Sequence, residues 1–180
     1  VSVDPFLAEM LAERDRREYR RTVLATEYKA TIVQLTIVAP GVRKDSPDIR
    51  KAFWYGKALL ENVLTERGLR TLLSESREGN AGPCSMWVVE AEAALVKRAA
   101  VGLEDGYSLG RLWDFDVYGP GGLKLDREAV GSDARKCFVC ESPAAICAGR
   151  RLHGSAEVVR CFMEILERGI EDMDKKGAIG

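Results

Sequence analysis

The order in which the apolar period switches between strand and helix most constrains the fold of this chain. Residues 31–38 (TIVQLTIV) are β-branched and apolar almost throughout and predict a strand. Ser46 and Pro47 then supply an N-cap and a first helical residue. Ile49, Phe53, Gly56, Leu60, Val63 and Leu64 follow at helical spacing, up to a stop at Gly68. Residues 69–76 and 85–89 (SMWVV) read as strands on either side of a turn at 79–83. Ala94, Leu95 and Ala99 mark a helix within 90–103, and Asp105-Gly106 turns into a strand over 110–117. Pro120-Gly121-Gly122 leads into a last short strand at 123–127. In front lies a helix over 5–24, with Phe6, Leu7, Met10 and Leu11 on one face. A closing helix carries Val158, Phe162, Ile165, Leu166, Ile170 and Met173 on one side. The chain is therefore α+β. Its centre, β-α-β-β-α-β, predicts the split βαβ arrangement of a ferredoxin-like layer, a mixed or antiparallel sheet of about five strands with helices on one side. The length of 180 residues suits a single domain. Within it, a core over 25–130 would be followed by a Cys/His segment and helix over 135–175.

Residues 110–117 (GRLWDFDV) carry the most pointed chemistry. Alternation along a strand puts Asp114 and Asp116 on one face and Trp113, Phe115 and Val117 on the other. Two carboxylates about 7 Å apart suit Mg²⁺, which takes one or two carboxylates plus substrate phosphates. The same pattern also fits an edge strand with a solvated acidic face. Gly110 allows close backbone approach, and Arg111 is a planar cation suited to phosphate. Gly41, Arg43, Lys44 and Asp45 fall between a strand end and a helix N-terminus, where free N–H groups and the helix dipole attract anions. The spacing is not that of a P-loop, and a plain surface connection is the other reading. Arg14, Arg16, Arg17, Arg20 and Arg21 crowd the first helix. Arg14, Arg17 and Arg21 share a helical spacing, as a comb for a polyphosphate or as a solvated face.

Formal net charge is −1, so bulk attraction to nucleic acid or an anionic membrane is not expected. No apolar run has the length of a membrane span. The opening Val1-Ser2-Val3-Asp4-Pro5 has neither a basic stretch nor an apolar one and does not read as a signal peptide. Five cysteines are an odd count, which favours a reducing compartment, the cytoplasm. Three of them and the only histidine form Cys137-x2-Cys140-x6-Cys147-x5-His153. Cys₃His is a ligand set for structural zinc, and four protein ligands would close the site. Reduced thiols or a disulfide are the alternatives. With a single His, and that one inside the cluster, the remaining chemistry is that of carboxylates, cations and a hard metal ion.

Three passages together resemble one family: Val38-Ala39-Pro40-Gly41 with Lys44-Asp45, then residues 110–117, then Arg135-x-Cys137-x2-Cys140-Glu141 running through Ala144-Ala145 and Cys147-Ala148 to His153. In that order they resemble the apo-citrate lyase phosphoribosyl-dephospho-CoA transferases. The resemblance implies transfer of 2′-(5″-phosphoribosyl)-3′-dephospho-CoA from its triphosphate precursor to a serine of the citrate lyase acyl carrier subunit, with loss of pyrophosphate. It also implies a nucleotidyltransferase-like site. Asp114 and Asp116 would hold Mg²⁺, with Arg43, Lys44 and Arg111 as phosphate clamps and Arg14 and Arg17 as further ones. Asp116 or Asp45 would be the base. Rival readings are the same chemistry on the malonate decarboxylase carrier, a zinc-stabilised docking module, and a metal-dependent phosphohydrolase.

Overall fold

The protein is described by a computed structural model covering residues 4–41 and 43–177. The readings made at Val1–Val3 and at Val42 lie outside them. Helix α1 (Pro5–Tyr28) starts where the Asp4 carboxylate accepts the Phe6 N–H at 3.0 Å. Strand β1 (Thr31–Ile37) leads to α2 (Pro47–Glu66), capped by Ser46 as its sequence predicts. Strands β2 (Arg70–Arg77) and β3 (Cys84–Glu90) form a hairpin, followed by α3 (Ala93–Gly106), β4 (Trp113–Tyr118) and β5 (Lys124–Leu125). Two helices close the chain, α4 (Ala144–Arg150) and α5 (Ser155–Gly177).

The five strands form one sheet in the order β2-β3-β1-β4-β5, with every neighbouring pair antiparallel. The first four have the order expected of a split β-α-β core, and β5 extends the β4 edge. Val33, Leu35, Trp87, Val89, Phe115 and Val117 face α2, α3 and α5 in the main core. Phe162 and Leu166 bring α5 into that core.

Three expectations are corrected. Helices do not lie on one side only: Leu24 of α1 packs with Ile32, Met86, Val88 and Tyr118 on the opposite face. Strands β1 and β3 are buried on both faces, so each face must be covered. Residues 110–112 are a 3₁₀ turn rather than strand. A Cβ on Gly110 would lie 2.2 Å from the Glu104 carbonyl oxygen, so this backbone is pressed against the end of α3 and turns before it can extend. In α3 the buried face is Val96, Ala99, Ala100 and Leu103, while Leu95 is exposed.

Among the described residues, no strand lies beside the outer edge of β4 beyond its short pairing with β5. Side chains take the strand's place. Lys97 Nζ donates to the Phe115 carbonyl at 3.0 Å, Glu104 accepts the Phe115 N–H at 3.0 Å, and Arg135 donates to the Trp113 carbonyl at 2.7 Å. Lys97 and Glu104 are both buried. Among the described residues no helix is long and apolar enough to cross a membrane.

Candidate functional site

The pleat of β4 aims Trp113, Phe115 and Val117 into the core and leaves Asp114 and Asp116 half-buried on the α1 face. Opposite them on β1 stand Thr36 and Gln34. Asp114 lines a cavity of about 300 Å³ together with Arg14 and Arg17 of α1, Lys44, Thr36 and Gly82. Four of the residues singled out from sequence thus meet in one concavity, although they come from three separate stretches of chain. The loop carrying Lys44 is fixed by contact with the 79–83 turn. Gly82 has φ +85°, and a Cβ there would lie 2.7 Å from the Lys44 carbonyl oxygen, so only glycine fits. Lys44 Nζ donates to the Ala39 carbonyl, and burial pulls its pKa below the usual lysine value. Arg17 donates to the Gly82 carbonyl at 3.2 Å and to Glu13 at 3.3 Å.

Burial, and next the charge of Asp116, push the Asp114 carboxyl above the ordinary carboxylate pKa. Cations partly balance the pair: Lys124 Nζ lies 2.6 Å from Asp116 and Arg135 3.4 Å from Asp114. Arg21 stacks over the Tyr118 ring, 4.3 Å from its centroid, and donates to Gln34 at 3.2 Å.

Other sequence candidates sit elsewhere. Arg111 donates to the Cys137 carbonyl and lies over the Phe138 ring, so it buttresses the Cys/His segment. Gly110 and Arg111 line a different cavity, on the α3 side. Asp45 is clamped by Arg50, whose Nε donates to it at 2.8 Å, and that hydrogen bond holds its pKa below the usual carboxylate value. Arg43 is exposed on the same loop. Within the α1 comb, Arg20 makes a two-pronged pair with Glu75 at 2.7 Å, and Arg16 pairs with Glu13. Sequence reasoning missed Arg135, Lys124 and Glu104. Arg135 stands in the sequence only as the first residue of the Cys/His motif, and Lys97 and Glu104 are charged residues on the apolar side of α3.

The ligand atoms of Cys137, Cys140, Cys147 and His153 all lie within 4.8 Å of one another and could hold a metal ion. Cys140 Sγ is 3.5 Å from Cys147 Sγ and 3.3 Å from His153 Nε2. Tetrahedral zinc with bonds of about 2.3 Å to sulfur spaces its sulfur ligands by roughly 3.8 Å, so the set fits. Hydrogen bonds from Ser142, then from Cys147 and His153, pull the Cys140 thiol down to about 6. Burial and the neighbouring Cys140 push Cys147 up to about 12. Glu157 Oε2 stands 3.9 Å from His153 Nδ1, on the ring nitrogen turned away from the sulfurs.

The model of one protein family, described as apo-citrate lyase phosphoribosyl-dephospho-CoA transferase, matches residues 6–169. Proteins of that name from Escherichia coli O1:K1, Shigella boydii serotype 18 and Escherichia coli O157:H7 are each 35% identical to this chain over 160 residues. The matches cover 89% of this chain and 87% of each relative. The match takes in the Asp114 cavity and the Cys/His cluster alike, and by it the chain belongs to the apo-citrate lyase phosphoribosyl-dephospho-CoA transferase family.

Proposed function

We propose that this protein attaches 2′-(5″-phosphoribosyl)-3′-dephospho-CoA, taken from its triphosphate precursor, to a serine of the citrate lyase acyl carrier subunit. The observation that carries the reading is the cavity in which Asp114 faces Arg14, Arg17 and Lys44. A triphosphate needs cations around it and a hard metal beside it, and both kinds of group converge there. The serine Oγ attacks the α-phosphorus, an O–P bond forms, and the bond to the leaving pyrophosphate breaks in line. Lys44 and Arg17 hold the departing phosphates and stabilise the charge that develops on them. Both carboxylates considered as base are paired, Asp45 with Arg50 at 2.8 Å and Asp116 with Lys124 at 2.6 Å, and Asp116 is the one that shares the β4 face of Asp114.

Asp114 and Asp116 fit Mg²⁺: two oxygen donors share one strand face, and burial, with the charge of Asp116 next, raises the Asp114 pKa, a cost to its ionised form that a bound cation would offset. When bound, Mg²⁺ supplies charge neutralisation at the phosphates. The metal of the Cys/His cluster is zinc in this reading, and it is structural because all four positions are protein ligands.

Purified protein is incubated with apo-carrier, triphosphoribosyl-dephospho-CoA and Mg²⁺, and the carrier is weighed by intact mass spectrometry. A carrier heavier by one phosphoribosyl-dephospho-CoA unit is expected. Donor consumed without adduct would favour a phosphohydrolase, and donor left intact by folded protein would favour a docking module.

A further inference from the structure

Another cavity, of about 440 Å³, lies between the end of β1 and the Cys/His segment. Its walls are largely carbon: Val38, Ala39, Pro40, Phe138, Ala148 and Val158. Three cations also line it, Arg135, Lys136 and Arg151. Val38 and Ala39 line the Asp114 cavity too, so two residues of backbone divide the two spaces. Arg135 joins them from the other side, since it lines this cavity and approaches Asp114 at 3.4 Å.

The chemistry of the donor matches this arrangement. Its reacting phosphorus sits on C5 of a pentose whose C1 is bonded to the 2′-oxygen of adenosine. The adenosine unit therefore lies one sugar away from the phosphate site, with adenine two sugars away, and the adenosine 5′-diphosphate runs on from the same nucleoside. An apolar slot lined by an aromatic ring suits a purine, and cations around it suit a diphosphate. Pantetheine, with two amides and a hydroxyl, needs hydrogen-bond partners that carbon walls do not offer.

We propose that the cavity between the β1 end and the Cys/His segment binds the adenosine 5′-diphosphate portion of the donor. This rests on the transferase reading above. The Cys/His cluster then shapes the donor site, because Cys137, Cys147 and His153 form part of the wall.

The test titrates 3′-dephospho-CoA, ADP and pantetheine into the full-length, zinc-loaded protein. Mg²⁺-tripolyphosphate is titrated separately to report the Asp114 cavity. Two variants are compared with wild type: Ala148→Trp, which fills the slot from an exposed position, and Arg151→Asn. Arg151 has φ +50°, and asparagine tolerates that backbone while removing the cation. Zinc content and far-UV circular dichroism check that both variants fold. ADP is expected to displace dephospho-CoA and pantetheine is not. Each variant should weaken dephospho-CoA binding at least tenfold and leave tripolyphosphate binding unchanged. Displacement by pantetheine but not ADP overturns the assignment, as does wild-type affinity for dephospho-CoA in both folded variants. Carrier modification by the wild-type protein is scored separately. Its failure counts against the transferase reading, whereas adduct formation with unaltered dephospho-CoA binding in both variants counts against the cavity assignment alone.

Discussion

At Asp114, stability and the proposed function pull in opposite directions. Burial and Asp116 raise its pKa in the folded protein. A carboxyl whose folded pKa exceeds its unfolded one holds its extra proton in the folded state. Stability is then greatest below the unfolded pKa and falls as pH rises through the folded one. At neutral pH the ionised Asp114 opposes folding. Without Mg²⁺, Asp114→Asn should therefore melt no lower than wild type, and a gain on the order of 1 kcal/mol would read as about 2–4 °C by calorimetry. Carrier modification by the same variant should slow by roughly 100-fold or more. A variant that both melts lower and transfers normally would remove Asp114 from the site. Gly56 shows the opposite case, a residue whose part is packing alone. A Cβ there would lie 2.6 Å from Trp113 Nε1, and that indole donates to the Ala52 carbonyl at 2.9 Å. Gly56→Ala gains helix propensity of up to about 1 kcal/mol, yet it forces the indole off its partner. A net loss of about 1–3 kcal/mol is expected in urea unfolding, as for an overpacked core.

Among the elements, β4 shows best how function rests on packing. Its outer edge is held by side chains of α3 and by Arg135, and Glu104 is the hub. Glu104 accepts from Phe115 N–H, and from Arg127 and Arg135 at 2.7 Å each. Glu104→Gln keeps the shape and removes the charge that both guanidiniums share. The arginines retain some water contact, so the expected cost is about 2–4 kcal/mol, at or below that of orphaning a fully buried ion. Arg135 then loses one anchor beside Asp114, so the catalytic rate should fall along with the urea midpoint. The elements were largely legible in the sequence: β1, α2, β3 and the Asp114/Asp116 alternation follow from period and capping. Residues 110–112 were not, because their turn depends on Gly110 meeting the end of α3, a contact between parts of the chain that local propensity does not contain. The Glu104 hub left a trace that was open to reading. Lys97 and Glu104 share the α3 face with Val96, Ala100 and Leu103, and charges on an apolar face call for partners.

For the whole molecule, the sheet is closed on one face by α1 and on the other by α2, α3 and α5, and Phe138 of the Cys/His segment packs on Phe162 of α5. The two-sided cover was foreshadowed in residues 31–38 and 85–89, whose apolar residues do not alternate with polar ones. The meeting of Asp114 with Arg14, Arg17 and Lys44 was expected only through the family resemblance, and period and spacing could not supply it, because it depends on where α1 lies across the sheet. Between β5 and α5 the chain has only a 3₁₀ turn and the short α4. Little of that stretch is in the main core, so under the proposed zinc reading metal ligation would be its chief source of order. Helix α5, by contrast, is also held by Phe162 and Leu166. Stripping the metal should accordingly loosen one region rather than unfold the protein. A metal present at 100–1,000 times its Kd contributes about 3–4 kcal/mol, so chelation should lower the melting temperature by about 10 °C. Hydrogen exchange should rise across 131–154, while β1 and β3 keep their protection. Uniform loss of protection on chelation would mean that the cluster organises the whole fold. Unchanged exchange at 131–154 would mean that the four side chains meet without a metal, held by packing alone.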